Sequence, residues 1–303
     1  MAELLRGAPV ANAIIDSCAG RSRALADAGV APTLAVVRVG ERPDDLSYER
    51  GLLKRAERAG VTVRRVVLAE DCSQADLMRA VADVNADASA HGCLVFRPLP
   101  AHLDERAVAA ALAPSKDVDC LTPASLAHVF SGAGAGFAPC TAEAVVRVLG
   151  HYGVPLAGAD VTVVGRSLVI GRPVAMLLQR ADATVTMCHS KTADLARRCR
   201  EADVLVVAVG HARAIGADAL RAGQVVVDVG INWDDEAQRL VGDVDERAAD
   251  AVAAALTPVP GGVGAVTTAV LMDHVVTAAE RTVGPKADGA GAYRAKRTQV
   301  SAS

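Results

Sequence analysis

The sequence predicts an α/β protein of two domains built on parallel sheets. Three observations predict this fold: the chain length, the alternation of strand-like and helix-like segments, and a glycine-containing strand-to-helix loop near the middle. At 303 residues the chain is long enough for about two domains. Because helices separate the strands along the chain, crossover connections and parallel pairing are expected.

In the first half, three apolar or alternating runs predict strands. They cover residues 33–39, 61–68 and 92–96. A helix is predicted near 44–59, and Ser73 with Asp76 forms a plausible capping box that opens another helix ending near residue 88. The run from Ser131 to Gly136 alternates small residues with glycine and predicts a flexible connection.

The second half repeats this alternation. Its predicted strands cover residues 159–164, 183–187, 204–209 and 224–229. A helix predicted at 141–152 could link two domains, and a last helix is predicted at 266–283. Residues 284–303 are rich in small and charged residues, which predicts a disordered tail.

Composition excludes several classes of partner. The net charge is −3 and no apolar run reaches the roughly 18 residues of a membrane span, so we expect no nucleic-acid and no membrane partner. Residues 1–6 lack the pattern of a secretion signal. The seven cysteines are scattered without a Cys-x-x-Cys pair. This pattern argues against disulfides and a metal site, and it fits a reducing cytoplasm.

The sharpest local signal is the run from Val163 to Pro173, which joins a strand to a helix. Gly165 permits a tight turn, and Gly171 permits close backbone approach where the helix starts. Free N–H groups at a helix start suit a pyrophosphate. The spacing is not Gly-x-Gly-x-x-Gly, so an ordinary strand–loop–helix turn is the alternative.

The following strand indicates which nucleotide is bound. NAD sites usually carry an acid about 20 residues past the glycine loop, whereas this strand ends in Met-Cys-His-Ser-Lys-Thr at 187–192. A 2′-phosphate would find partners among Arg166, Ser167, His189, Ser190 and Lys191. We therefore predict NADP. Taken alone, His189 is interpreted more readily as a hydrogen-bonded histidine at a strand end than as a cofactor ligand.

Two further loops follow apolar strands. They are Val209-Gly210-His211 and the run from Asp228 to Asn232. Because ligands of open parallel sheets bind beyond the carboxyl ends of the strands, both loops are expected to contact the nucleotide.

Several motifs occur in the order of a known family. The chain resembles a divergent member of the methylenetetrahydrofolate dehydrogenase/methenyltetrahydrofolate cyclohydrolase (FolD) family over roughly residues 5–282. The matching motifs are Leu34–Gly40, Tyr48, Pro98-Leu99-Pro100, Lys116–Asp119, Pro139-Cys140-Thr141, Gly165–Pro173, His189–Thr192, Asp228–Asn232, Gly242-Asp243-Val244 and Thr257–Gly264.

The resemblance implies a three-layer α/β folate-binding domain, a Rossmann-like NADP-binding domain and a homodimer. It places residues 1–140 and 266–283 in the first domain and residues 141–265 in the second. Tyr48 and Asp119 are the implied catalytic residues. The implied folate-binding residues are Tyr48, Phe96, Pro98, Asp119, Pro260, Gly261 and Gly262. The implied NADP-binding residues are Thr141, Gly165, Arg166, Ser167, Val169, Gly171, His189, Ser190, Val209, Gly210, Gly230, Ile231 and Asn232.

The departures from the family pattern concentrate in the folate site. The family places a lysine four residues after the tyrosine and a glutamine before Leu-Pro-Leu-Pro; here these positions hold Leu52 and Phe96. Lys54 lies roughly 200° around a helix from Leu52 and should face elsewhere. Asp45 replaces a family serine, and Ala265 replaces a proline.

These changes bear unequally on the two family reactions. Removing a hydride from the carbon between N5 and N10 moves no proton, so positioning suffices. Hydrolysis of the methenyl product requires water to lose a proton, a step that the family assigns to the lysine supported by the glutamine. General acid–base help is worth roughly 10²–10⁴-fold. We therefore predict NADP-dependent dehydrogenation with weak or absent cyclohydrolysis.

Alternatives remain at this stage. Asp45 could act as a base, although Pro43-Asp44-Asp45 favours a helix N-cap, and Arg97 is a poor base. Tyr48 could be a core residue, and Asp119 could lie in a solvated loop. The whole chain could instead be a paralogue acting on a different substrate or one-carbon transfer, or a folate- or nucleotide-binding protein without turnover.

Overall fold

The structure is a computed structural model that describes residues 1–134 and 136–284. Apart from Gly284, the tail predicted at 284–303 lies outside the described residues. Among the described helices, none combines the length and apolar character needed to cross a lipid bilayer. All seven cysteines are free of disulfides, and six of them are buried.

The elements of the first half alternate between strands and helices up to β4. In chain order they are β1 (Glu3–Leu4), α1 (Gly7–Asp27), β2 (Thr33–Val39), α2 (Pro43–Ala59), β3 (Thr62–Leu68), α3 (Gln74–Ala86), β4 (Gly92–Val95), α4 (Glu105–Ala111) and α5 (Pro123–Ser131).

The second half continues the alternation and closes with a long helix. Its elements are α6 (Cys140–His151), β5 (Asp160–Val164), α7 (Gly171–Arg180), β6 (Thr184–Cys188), α8 (Leu195–Glu201), β7 (Val204–Val207), β8 (Val225–Asp228), β9 (Asn232–Asp234), β10 (Arg239–Val241), α9 (Glu246–Val252), β11 (Ala255–Leu256) and α10 (Gly264–Thr282).

Two parallel sheets organise the chain, which confirms the predicted α/β class. The smaller sheet has the order β3-β2-β4, and the larger has the order β1-β11-β8-β7-β5-β6. Every pairing within these two sheets is parallel. An antiparallel hairpin of β9 and β10 stands apart from both. The chain ends cross over: β1 joins the larger sheet, while α10 packs on α1 and the smaller sheet.

The smaller sheet is the middle of three layers. Along β2, Leu34 and Val36 pack into the cluster with α1, α2 and α10, whereas Ala35 and Val37 pack into the cluster with α3. Because both faces are covered, the strand reads as a continuous apolar run rather than an alternating one.

Local signals set the helix boundaries in this layer. The capping box of Ser73 and Asp76 is present as predicted and opens α3. Helix α2 starts at Pro43 and ends at Gly60, whose left-handed conformation suits glycine. Its N-cap is Arg42, so the N-cap interpretation of Asp45 is wrong. Asp45 lies instead in the first turn, where the helix dipole favours an acid.

Candidate functional site

In the four-residue motif at 116–119, Lys116 and Asp117 stabilise the loop, and Asp119 belongs to the candidate site. Lys116 Nζ donates to the carbonyls of Val84, Asn85 and Asp87 at 2.6–2.9 Å. Asp117 is fully buried and accepts the amides of the two residues that follow Cys120, both at 2.7 Å. These bonds fix the backbone of the loop on both sides of Val118 and leave Asp119 to interact with other groups.

Asp119 lies in an electrostatically unusual position. Burial raises the pKa of its carboxyl above the ordinary value, while a hydrogen bond from Cys140 and the positive charges of Arg97 and His274 act in the opposite direction. A carboxylate in such surroundings suits binding of a neutral or cationic N–H donor. The solvated-loop alternative for Asp119 is therefore not supported.

Tyr48 joins Asp119 from the face of α2. Its ring makes an edge-to-face contact with Phe96, with 5.6 Å between ring centroids. Burial of the hydroxyl together with the charge of Asp119 raises the pKa of Tyr48, and an interaction with the Thr268 side chain of α10 opposes that change. Nevertheless 44% of the residue surface is exposed, so the ring is accessible and Tyr48 is not a core residue.

The positions of the family lysine and glutamine are apolar and buried. Leu52 is 1% exposed and Phe96 is 7% exposed, and both belong to the main hydrophobic cluster. Lys54 is exposed on the opposite face of α2, as its spacing predicts. Among the described residues, α2 therefore places no lysine beside Tyr48.

Arg55 is a neighbour of Tyr48 that the sequence reasoning missed. It is seven residues further along α2, which brings it within about 20° of Tyr48 around the helix. Its guanidinium donates to the carbonyl of Ala265. Burial lowers the pKa of Arg55, and the interaction with Tyr48 opposes that change. The seven-residue spacing in the sequence was a usable signal.

Two proline-containing turns border this region. The peptide bonds Arg97–Pro98 and Val259–Pro260 are both cis. Arg97 is paired with Glu105 at 3.3 Å, and Gly261 accepts the amide of Gly7 at 2.8 Å through its carbonyl. The predicted folate-binding prolines and glycines therefore lie in turns that are tied to α4 and α1.

In the glycine loop between β5 and α7, backbone segments pack closely against one another. A Cβ on Gly165 would lie 2.3 Å from the carbonyl oxygen of Ala208, and a Cβ on Gly171 would lie 2.4 Å from that of Gly165. The Ser167 hydroxyl accepts the amides of Ile170 at 3.1 Å and Gly171 at 3.3 Å. The loop thus has the glycine requirement of a nucleotide turn, which favours this interpretation over an ordinary connection.

Polar and cationic groups gather at the carboxyl ends of β5 and β6. Arg166, Ser167, Ser190 and Lys191 are exposed, as is Val169 at 46%. Nδ1 of His189 accepts the Lys191 amide at 3.1 Å, so one ring nitrogen serves the turn itself. The structure therefore supports the strand-end interpretation of His189 and leaves Nε2 as its remaining polar atom.

The two further loops predicted to contact the cofactor are held together by one buried carboxylate. Asp243 accepts the amides of Val209, Gly210 and His211 at 2.6–2.9 Å and the side-chain amide of Asn232 at 2.9 Å. These bonds draw the chain out of the ladder after Val207, which explains why β7 is shorter than predicted. The Gly-Asp-Val motif at 242–244 is evident in the sequence, but this role of Asp243 is not.

A second buried acid completes the arrangement. Asp228 accepts the amides of Gly230, Asp243 and Val244 at 2.8–3.0 Å. A Cβ on Gly230 or Gly242 would lie within 2.1 Å of these carboxyl groups, so glycine is required at both positions. Ile231 is consequently presented at the tip of its loop, 58% exposed.

Helix α10 connects the two groups of predicted residues. Its Thr268 side chain interacts with Tyr48, and the hydroxyl oxygen of the preceding Thr267 lies 3.4 Å from that of Thr141. Thr141 stands in the first turn of α6. Tyr48 and Thr141, one from each predicted set, thus have neighbours at consecutive positions of α10, roughly 100° apart around the helix.

Comparisons with known proteins agree across nearly the whole chain. Residues 5–119 match the family described as tetrahydrofolate dehydrogenase/cyclohydrolase, catalytic domain, and residues 139–283 match its NAD(P)-binding domain. The bifunctional protein FolD of Clostridioides difficile is 48% identical over 276 residues, which span 91% of this chain and 96% of that protein. The FolD of Carboxydothermus hydrogenoformans is 47% identical over 281 residues, 92% of this chain and 98% of that protein.

Solved structures give the same result. The bifunctional FolD of Campylobacter jejuni superposes with a TM-score of 0.89 at 35% identity, covering 93% of this chain and 100% of that one. The methylenetetrahydrofolate dehydrogenase–cyclohydrolase of Trypanosoma brucei, solved with NADP and an inhibitor, gives a TM-score of 0.86 at 35% identity. The match covers 94% of this chain and 99% of that one.

Proposed function

The chain belongs to the tetrahydrofolate dehydrogenase/cyclohydrolase family, and from that premise we propose that it oxidises 5,10-methylenetetrahydrofolate to the 5,10-methenyl form with NADP as hydride acceptor. The observation that carries the proposal is the junction at α10. There Tyr48 and Thr141, from the two predicted sites, interact with successive threonines. Hydride transfer requires the folate carbon and the nicotinamide to be held close together, and two predicted sites that share one helix support this requirement.

The residues of the second half fit NADP. Gly165 and Gly171 leave no space for a side chain in the loop, and the exposed Arg166, Ser190 and Lys191 offer donors to a 2′-phosphate where an NAD site would carry an acid. The T. brucei relative was solved with NADP. When bound, the nicotinamide supplies the hydride-accepting carbon.

On the folate side, the residues of this chain orient the substrate and transfer no proton. Asp119 accepts N–H groups of the pterin, and the accessible Tyr48 ring packs beside it. The dehydrogenation needs no base, because the hydride leaves with both electrons and the nitrogen lone pairs stabilise the resulting cation. Leu52 and Phe96 cannot transfer a proton, and this step requires no proton transfer.

The cyclohydrolase step is weak or lost in this proposal. Leu52 cannot carry a proton, and Phe96 cannot hydrogen-bond to a neighbour that does. Arg55 places a positive charge near Tyr48, but a guanidinium remains protonated and cannot accept the proton of the attacking water. The charge of the family lysine is thus partly replaced, while its proton transfer is not.

Absorbance tests the function directly. On mixing the chain with methylenetetrahydrofolate and NADP, we expect NADPH to form and the methenyl chromophore to persist after NADPH formation has ended. Rapid loss of the methenyl band beyond the buffer rate would contradict the cyclohydrolase part. Binding of NADP without NADPH formation would contradict the dehydrogenase part and favour a paralogue with a different substrate or a binding protein.

The domain division and the setting are part of the same proposal. Residues 7–140 with 266–283 form the folate domain and residues 141–265 form the NADP domain, while β1 joins the larger sheet, so the predicted inclusion of residues 1–6 in the folate domain is wrong. Seven cysteines without a disulfide fit a reducing cytoplasm.

We also propose that two copies form a homodimer through the β9–β10 hairpin. This hairpin stands outside both large sheets and exposes Trp233 at 56% and Leu240 at 37%. A cavity of about 570 Å³ lies beside its base, lined by the arginine and acidic side chains at 213, 234, 239 and 246. Apolar groups rimmed by both charge signs suit a self-complementary surface.

Sedimentation should give the mass of two chains, and Trp233→Glu should give one, because the charge would be desolvated at the interface. Trp233 is the one tryptophan of the sequence, so its emission should shift to the red on dilution as the interface opens. A single-chain mass for the unchanged protein at micromolar concentration would contradict the dimer.

A further inference from the structure

His274 is a buried ionisable residue that the proposed function does not use. It lies on α10, is 3% exposed, and stacks on Phe137 with 4.7 Å between ring centroids. Its Nδ1 is 2.8 Å from the carbonyl oxygen of Val118, and its Nε2 is 2.9 Å from Oε2 of Glu143. Both ring nitrogens therefore face oxygens at hydrogen-bond distance.

These two partners define the protonation state of the ring. A carbonyl oxygen can only accept, and an ionised carboxylate can only accept. Both contacts are hydrogen bonds only if both nitrogens carry a proton, which makes the ring an imidazolium. Burial would lower the pKa of His274, but the Glu143 carboxylate raises it above its ordinary value. Burial would likewise raise the pKa of Glu143, yet His274 and Arg147 hold it at about 2.

The imidazolium acts directly on the peptide that carries Asp119. The Val118 carbonyl belongs to the peptide bond between Val118 and Asp119, so the bond from Nδ1 fixes the orientation of that peptide. Cys140 fills the space between them, with Sγ 3.4 Å from the Val118 carbonyl and 3.7 Å from Nδ1. The positive charge of His274 also favours the ionised form of Asp119.

Other charged groups surround the pair. The titratable and charged groups around His274 come from several elements. Helix α6 provides Cys140, Glu143 and Arg147, α10 provides Asp273 and Arg281, and α1 provides Cys18 and Arg21. The 117–120 loop provides Asp117, Asp119 and Cys120, and His128 and Arg180 lie on the far side of a cavity of about 220 Å³. Asp273 is already paired with Arg21 and Arg147, so Glu143 is the carboxylate that bonds the ring.

We propose that His274, held as an imidazolium between the Val118 carbonyl and Glu143, is a positioning residue that keeps Asp119 oriented and ionised for the folate substrate. The inference rests on the proposed function, because it assigns Asp119 to folate binding. It adds a buried charged pair that sets the pH range in which the substrate binds.

Glu143→Gln separates the charge from the hydrogen bond. The glutamine amide can donate to Nε2, so the ring becomes neutral while Nδ1–H still bonds Val118. We expect the acid limb of kcat/KM for the folate to move to higher pH, with KM raised several-fold below the limb and kcat at saturation unchanged. His274→Asn, which keeps a donor near Nδ1 but leaves Glu143 ionised, should move the acid limb in the same direction.

Glu280→Gln is the matched control. It also removes one negative charge, but Glu280 lies on α10 and pairs with Arg21 rather than with His274. Its pH profile should coincide with that of the unchanged chain. If Glu143→Gln and His274→Asn leave the acid limb in place while His274→Ala lowers activity at all pH values, the role is only structural and the proposal is wrong.

Two direct measurements keep this test separate from the proposed function. ¹⁵N NMR of labelled histidine should show His274 doubly protonated at pH 7, and neutral in Glu143→Gln; a neutral ring in the unchanged chain would overturn the proposal. Binding of 5-formyltetrahydrofolate as a probe, followed by calorimetry, should show the same pH displacement as KM. Failure to oxidise any folate, with this binding intact, would count against the dehydrogenase activity alone.

Discussion

A chain carrying both Leu52→Lys and Phe96→Gln is expected to hydrolyse the methenyl product roughly 10²–10⁴-fold faster than the unchanged chain, the range of general acid–base catalysis. Leu52 stands one helical turn from Tyr48, and Phe96 contacts the Tyr48 ring. A lysine stem can follow the apolar surroundings of Leu52 while its amine extends toward the polar site. The glutamine would provide the hydrogen bond that orients this amine.

The measurement is decay of the methenyl chromophore added without NADP, so that hydrolysis is observed apart from oxidation. Leu53→Lys is the matched control: it adds the same amine one residue further along α2, roughly 100° around the helix. We expect it to leave hydrolysis at the buffer rate. Equal decay in the unchanged chain and the double variant, with both folded by circular dichroism, would refute the role assigned to Leu52 and Phe96.

Gly171→Ala is expected to weaken NADP binding by roughly 10–100-fold, because overpacking typically costs about 1–3 kcal/mol. The added Cβ would lie 2.4–2.7 Å from backbone atoms of Gly165 and Arg166. Since backbone cannot rotate away as a side chain does, the loop must move from the start of α7. Titration of NADP by fluorescence or calorimetry measures the effect.

Gly150→Ala provides the control for this change. Gly150 lies within α6, and no atom is within 4 Å of the Cβ it would carry. Alanine in a helix is favoured over glycine by about 0.5–1 kcal/mol, so this variant should melt slightly higher and bind NADP unchanged. Unaltered NADP affinity in Gly171→Ala would show that the close contact of the two loop segments does not shape the nucleotide site.

The class of fold was predictable from the sequence because buried parallel strands leave a strong apolar pattern. The strand at 33–39 was placed to the residue, and so was the capping box at Ser73. The very short strands β1 and β11 and the hairpin of β9 and β10 were missed. Strands of two or three residues are too short to show a periodic pattern. In addition, β1 pairs with β11, which lies more than 200 residues later in the chain.

The candidate site was predictable only where a motif coincided with one helix face or one loop. Tyr48, Leu52 and Lys54 could be placed by helical spacing alone. Asp243 and His274 could not, because their roles arise from partners brought together by the fold. Asp243 bonds a loop 32–34 residues earlier in the chain, and His274 bonds Glu143 across 131 residues. Local sequence carries no record of such contacts.

The crossover of the chain ends has a consequence for biosynthesis. The first residues complete the edge of the larger sheet, and α10 completes the core of the smaller one. An emerging polypeptide therefore holds the apolar surfaces of α1 and α2 uncovered until nearly all of the chain has left the ribosome. Closing contacts over such long separations is slow, so the order of synthesis makes the nascent first half a natural client for chaperones.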